Sequence, residues 1–429
     1  MTLGRQEAGR PHVRKALFTA AVIGAAASLV LSGCGGSSKK SGNSDGSTTL
    51  KLVGADYGTG PANSTQKYWQ EIADAFHAQD PKITVKVQTI NWNDFDNQVQ
   101  TMVQNHQFPD ITEGDYFSNY AQEGLLYKAS DVMTNASNLM PVFAKLGSYK
   151  DSQYGMPFTT SSRTLFYNKK LFAQANIAGA PQTWADVQAD AAKIKALGKI
   201  GYGLPLGSEE AQAESLLWML GNGGNYKDSA GNWTIDSQQN TETFQFLKQL
   251  VSSGATEPNP GTKNRTDLWK QFAQGQVGML NGSPALIPII QEGKVLTDSD
   301  WTSVPIPGKS APLQSTLGVC DFVAAFKNGG TSKQAAIKKF LDFAYQDKYQ
   351  IQFDKEYKLL PATTSAAKTL AADPVFGPFL TALPRAVQYP NDTVWANVKT
   401  QVQHTIGTAA TGDPKKVLSA LQQTAKKGS

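Results

Sequence analysis

The side chains able to make or break bonds are few in this chain of 429 residues. It holds 4 His and 2 Cys. No H-E-x-x-H, C-x-x-C, Walker A or G-x-G-x-x-G spacing occurs. His12 belongs to a cationic start, and His77, His106 and His404 are each expected on helices with no second ligand type close in sequence. They read as solvated helix residues. Gly42-Asn43-Ser44-Asp45-Gly46 spells G-x-S-x-G. A nucleophile elbow needs a strand before it and a helix after it, and here the surroundings are Gly and Ser. Two Cys supply neither a zinc site nor a disulfide framework. No cofactor, metal or catalytic residue is expected.

One thiol does sit in a reactive setting. Arg5, Arg10, Arg14 and Lys15 precede a charge-free run from Ala16 to Leu31, followed by Leu31-Ser32-Gly33-Cys34. The run is shorter than the ~20 residues a spanning helix needs. It has the n-region and h-region of an export signal, and its end resembles a bacterial lipobox. That resemblance implies cleavage after residue 33 and lipidation of Cys34, whose thiolate takes a diacylglyceryl group. Buried acyl chains, at ~0.8 kcal/mol per CH₂, then give firm anchoring. The alternative is an ordinary secretory signal with a chance Cys. Residues 34–48, mostly Gly, Ser, Lys and Asn, cannot bury a core and read as a flexible tether. Cys320 is left without an intramolecular partner and sits in an apolar stretch, as a small buried hydrophobe.

Removing residues 1–33 takes away four cations and one Glu, so the formal charge falls from +5 to +2. A nearly neutral exported chain argues against a nucleic-acid partner. Composition is near the globular average, with 40% hydrophobic and 17% charged residues, which excludes collagen, coiled coil and wholesale disorder. The length suggests two or three domains.

The elements that would position a site alternate. Leu50–Ala55 reads as a strand. A helix opened by Ser64 carries Trp69, Ile72 and Phe76 on one face, and Ile83, Val85 and Val87 alternate as a second strand. A helix with Phe95, Val99 and Met102 leads to a third strand at Phe108–Ile111. This βαβαβ rhythm implies a parallel sheet with helices on its faces. It then recurs: Thr183 is a helix cap with Asp186 three residues on, Gly198 ends that helix, and Gly201–Leu206 reads as a strand. Lys227–Trp233 reads as a hairpin. The chain from Ser332 onward is mostly helical.

Four strings in order carry a resemblance. They are Pro109-Asp110-Ile111 with Tyr120–Leu126; Tyr154–Pro157 with Tyr167–Phe172 and Pro181–Trp184; Phe272–Met279; and Lys339–Phe343 with Leu359-Leu360-Pro361. Together with the leader they resemble the extracellular solute-binding proteins of carbohydrate importers, the maltose-binding-protein-like group. The resemblance implies an α/β chain in the two-lobed periplasmic-binding-protein fold, its sheets parallel-rich and flanked by helices, with crossing hinge strands between the lobes. It places one lobe at 50–158 with 284–326, and the other at 159–283 with 327–429. It also implies a cleft that closes on a ligand bound to both lobes.

A sugar site needs flat aromatic faces for ring C–H groups, and planar side chains or backbone groups for hydroxyls. Trp92 follows the strand Ile83–Ile90, where ligands are expected. Trp395 begins a segment similar to the family's late helix, whose leading Trp stacks on sugar. Each could instead be core. Trp69, Trp184, Trp218 and Trp269 read as core, and Trp233 and Trp301 lean the same way. Asp115 and Tyr116 match the family's loop of aromatic and acidic contacts. Ser161 stands where the maltose-binding pattern has a Glu, which argues against carrying maltose specificity over. Glu210 and Gln212 follow the strand Gly201–Leu206, at a comparable loop or merely at a helix start. Gly282 and Ser283 follow Met279-Leu280, where a Gly would let backbone N–H groups approach a hydroxyl. Asp321 interrupts an apolar stretch and must find partners, either at the hinge or on the ligand.

The expectation is a receptor, a monomer anchored by lipid to the outer face of a bacterial cell membrane or lying in the periplasm. It would capture a sugar or oligosaccharide and deliver it to the permease of an ABC importer, whose subunits are separate chains. An exported carbohydrate-active hydrolase remains open because carboxylates paired only in space are invisible here. A binding protein for a non-sugar solute and a surface adhesion module stay open as well.

Overall fold

The structure is a computed structural model and describes residues 46–58, 60–114, 117–390 and 394–428. The leader with Cys34, and the loop residues Asp115 and Tyr116, lie outside the described residues. No helix among the described residues is long and apolar enough to cross a membrane.

Strands are numbered in chain order. β1 (Thr48–Asp56) runs parallel to β2 (Ile83–Asn91) with Leu50 opposite Val85, and parallel to β3 (Ile111–Gly114) on its other side. After a small hairpin of β4 (Ser148–Tyr149) and β5 (Ser152–Gln153) come β6 (Met156–Ser162), β7 (Thr164–Asn168) and β8 (Ile200–Tyr202). They are followed by β9 (Val277–Gly282), β10 (Trp301–Val304), β11 (Gly318–Ala325) and β12 (Leu360–Pro361). One sheet has the order β12-β6-β11-β3-β1-β2, the other β10-β7-β9-β8. Each is the centre of a lobe.

The βαβ rhythm sets the parallel pairs β1–β2, β1–β3 and β8–β9. The long-range strands β11 and β7 enter against that direction, and β6, which runs with β1–β3, pairs antiparallel with β11, so antiparallel pairs are added to both sheets. Both sheets are therefore mixed rather than parallel-rich. Local signals hold well. Ser64 caps the helix Thr65–Gln79 by accepting from Gln66 N at 3.2 Å, and Tyr68, Trp69, Ile72 and Phe76 are its buried face. Thr183 and Asp186 form a reciprocal capping box, with bonds of 3.2 and 2.9 Å. His106 departs from expectation. It lies beyond the helix Trp92–Gln104, in a turn with φ +54°.

Lobe membership also differs from the sequence expectation. Residues 301–304 pair with β7 in the second sheet. The helices Gly330–Ala344 and Asp347–Tyr357 bury Phe340, Leu341 and Phe353 beneath the first sheet, beside Leu50, Trp69 and Phe158. The expected blocks 284–326 and 327–429 are each split, because the chain changes lobes at strand crossings rather than at composition shifts. The second lobe has its own core around Trp184, Val187, Leu216 and Phe244. A further apolar cluster passes behind the crossing region, from Val53 and Phe95 through Phe166 and Phe379 to Phe272 and Ile290.

Three segments cross between the sheets side by side. Only Arg163 separates β6 from β7. Its N–H donates to Thr316 Oγ1 at 3.0 Å, and the same hydroxyl donates back to Arg163 O at 2.7 Å. The third segment joins through Val387 N to Thr316 O at 2.8 Å and Gly318 N to Val387 O at 2.9 Å. Every strap is bonded to another, so the hinge has a defined register.

Candidate functional site

The parallel strands β1, β2 and β3 all point their carboxyl ends at the gap between the sheets, and the residues just beyond line it. Tyr57 follows β1, Trp92 follows β2, and Phe117 lies shortly after β3. The opposite wall comes from the start of the helix Ala211–Leu220 and from Arg265, Trp269 and Ser283. Between them is a cavity of about 490 Å³, within the usual range for small-ligand sites.

On the first wall, Tyr57 O–H donates to Glu113 Oε1 at 2.5 Å and Asp321 Oδ2 at 2.9 Å. A phenol carries one proton, so the three groups must share it. Asp321 thus finds the partner its apolar surroundings demand, and it still lines the cavity. Burial, then the charges of Asp321 and Glu113, push the Tyr57 phenol well above its ordinary value. Its ring meets Trp92 edge-on, centroids 5.3 Å apart.

The second wall is a charged lattice. Glu210 bridges two guanidiniums: Arg163 Nη2 donates to Oε1 at 2.7 Å and Arg265 Nη1 donates to Oε2. Arg265 Nη2 reaches Glu209 Oε1 at 3.0 Å, and its guanidinium lies 4.7 Å from the Trp269 ring centroid. Arg163 Nη1 donates to Ser161 Oγ at 3.0 Å. Burial opposes the charge on Glu210, but Arg163 and Arg265 outweigh it and hold the carboxyl below its ordinary range. One helical turn further, Glu214 lies sealed behind the wall and accepts from Tyr202, Trp218 and Asn281 at 2.9, 2.8 and 3.1 Å. Burial dominates there and pushes it up to about 7.

The structure brings Trp92, Ser161, Glu210, Gln212, Ser283, Asp321 and Trp395 to one cavity. Gly282 is the exception among the described residues. A Cβ there would lie 2.7 Å from Phe166 Cδ2 and 2.9 Å from Leu286 Cδ2, so the missing side chain makes room for core rings rather than for a ligand. Trp395 reaches the cavity but is only 8% exposed. Its ring lies near-parallel to Tyr389 and Trp233, with Tyr226 tilted against it at 4.9 Å.

Sequence reasoning missed Tyr57, Arg163, Arg265 and Tyr389. Tyr57 had a usable signal, since it follows the first parallel strand as Trp92 follows the second. Arg163 carried a weaker one, as a charge in the otherwise uncharged stretch Met156–Asn168.

A profile of the bacterial extracellular solute-binding protein matches residues 71–378 of this chain. A binding protein of Brucella abortus is 27% identical over 329 residues, spanning 74% of this chain and 77% of its own length. The diacetylchitobiose binding protein of Streptomyces coelicolor is 25% identical over 372 residues, with 80% and 81% covered. Among solved structures, the GacH receptor of Streptomyces glaucescens, known unliganded and with acarbose, superposes with a TM-score of 0.75. It covers 89% of this chain and 98% of its own, at 20% identity.

Proposed function

The chain belongs to the bacterial extracellular solute-binding protein family, and from that membership we propose that it captures a sugar or oligosaccharide between its lobes and delivers it to a membrane permease. Its relatives are binding proteins rather than enzymes, and the names of several, such as diacetylchitobiose and arabinooligosaccharide binding proteins, specify glycans. The observation that carries the reading is the cavity itself. One wall offers Tyr57 and Trp92 rings beside the Asp321 carboxylate, and the other offers planar guanidinium and carboxylate groups already fixed in a lattice. Fixed planar donors and acceptors bind hydroxyls without first paying to be ordered.

Ligand contact by Trp92, Ser161, Glu210, Gln212, Ser283 and Asp321 forms part of this proposal, which extends to Asp115 and Tyr116 on the strength of their resemblance to the family's contact loop. The lipid anchor at Cys34 rests on the leader and its four-residue box. Delivery would be to separate permease subunits, with the receptor acting as a monomer on the outer face of the membrane. Affinity near micromolar, about −8 kcal/mol, suits capture followed by release.

The test is a melting panel of mono- and oligosaccharides on the purified chain, with each sugar recovered and analysed. A rise in Tm with unchanged sugar supports the receptor. Hydrolysed sugar would replace it with an enzyme, and no shift with any saccharide would end the glycan assignment.

A further inference from the structure

The inner chamber does not end the cleft. A polar groove of about 760 Å³ adjoins it. The two share Trp92, Glu209, Ala396, Lys399 and Gln403, and the groove continues past them to Ser208, Asn264, Thr266 and Thr400. The passage therefore leaves the chamber beside Trp92 and follows one flank of the helix Trp395–Thr405.

The floor of this groove is held in place before anything binds. Glu209 accepts from Thr266 N at 2.9 Å and from Thr266 Oγ1 at 2.6 Å. Asn264 Oδ1 accepts from Glu209 N at 3.2 Å, and Arg265 ties the same carboxylate back to the chamber wall. A prearranged polar surface loses little side-chain freedom when a ligand lies on it.

The chemistry changes along the passage. The chamber presents rings, among them Tyr57, Phe117, Trp269 and Tyr389. The groove presents hydroxyl, amide and charged ends, and Trp92 is its single aromatic among the described residues. A chain of sugar rings calls for this order. The innermost unit is enclosed and has its C–H faces covered, while outer units stay half-solvated and exchange hydrogen bonds through their hydroxyls. One small ring would sit within the chamber and make no use of a built polar floor.

We infer that the ligand is an oligosaccharide rather than a single sugar, with its outer units running past Trp92 along the exposed flank of helix Trp395–Thr405. This rests on the glycan reading of the cleft and adds to it a chain length and a direction of exit. Gain in affinity with length comes from the groove, and selectivity for the innermost unit comes from the chamber.

The test uses malto-, cello- and chito-oligosaccharides of increasing length, titrated calorimetrically against the purified chain. In the series that binds, affinity should rise about tenfold or more from the shortest binder to its longer homologues. Thr400→Trp places a large ring in the groove from an exposed position. It should erase that gain, leave the shortest binder's affinity unchanged and leave the ligand-free Tm unchanged. Equal affinity at every length, or a length gain that survives Thr400→Trp, overturns the inference while leaving a sugar receptor standing. Absence of binding by any saccharide overturns the glycan reading and this inference with it.

Discussion

The Tyr389 ring stacks on Trp395, centroids 5.5 Å apart and planes 22° from parallel. A Trp395 facing ligand alone could be removed without loss of stability. Its contacts with Tyr389, Trp233 and Tyr226 point elsewhere. Trp395→Ala should lower unfolding free energy by about 3 kcal/mol or more, as large aromatic truncations in cores do. Tyr389→Ala, at the cavity side of the stack, should weaken ligand binding about tenfold with the smaller stability loss. Urea titration and calorimetry on both variants decide it. A fully stable Trp395→Ala protein with weakened binding would return the platform role to the indole.

Glu210 sits between two guanidiniums and bonds to both, with Arg163 only 5% exposed. Glu210→Gln removes the bridging charge and leaves both cations facing each other in a confined space. Breaking a buried pair in this way costs about 3–5 kcal/mol, so the midpoint in urea should drop sharply. A change below about 1 kcal/mol would mean the lattice behaves as an exposed pair.

Two sealed carboxyls, Glu214 and Glu257, should each add a pH dependence to stability in the neutral range. Burial pushes Glu214 up to about 7 and Glu257 up to about 8, from an ordinary 4.5. Between those limits the folded chain keeps protons that the unfolded chain releases. Their contribution is complete below about pH 4.5, falls as pH rises through the window, and levels off above about pH 8. The Glu214→Gln, Glu257→Gln double variant keeps the neutral shape and should show a flatter decline of Tm between about pH 5 and pH 8. Parallel curves for both proteins would refute the assignment.

Gly282→Ala should destabilise by about 1–3 kcal/mol, since the new methyl overpacks against Phe166 and Leu286. Gly179→Ala, where a Cβ meets nothing within 4 Å, serves as the control. Equal melting of the two variants would show that the core yields at β9.

Local structure was legible because its causes are local. Ser64, Thr183 and Gly198 announce helix ends within a few residues of where they act, and the alternation at Ile83, Val85 and Val87 marks β2. That Trp92 lines the cavity follows from its place after a parallel strand. The wiring of the walls was not legible, because the partners are far apart in sequence. Tyr57 and Asp321 are 264 residues apart, Arg163 and Thr316 153, and Arg163 and Glu210 47. No window of the chain contains both ends of those bonds. The lobe boundaries failed for the same reason, since Trp301–Val304 chooses its sheet through pairing with Thr164–Asn168.

Arg163 occupies the single residue between two sheets and also reaches the wall a guest would touch. Fulcrum and feeler are thus one amino acid. The strap register and the cavity wall therefore share one side chain and one backbone unit. A substitution there would change stiffness and taste together.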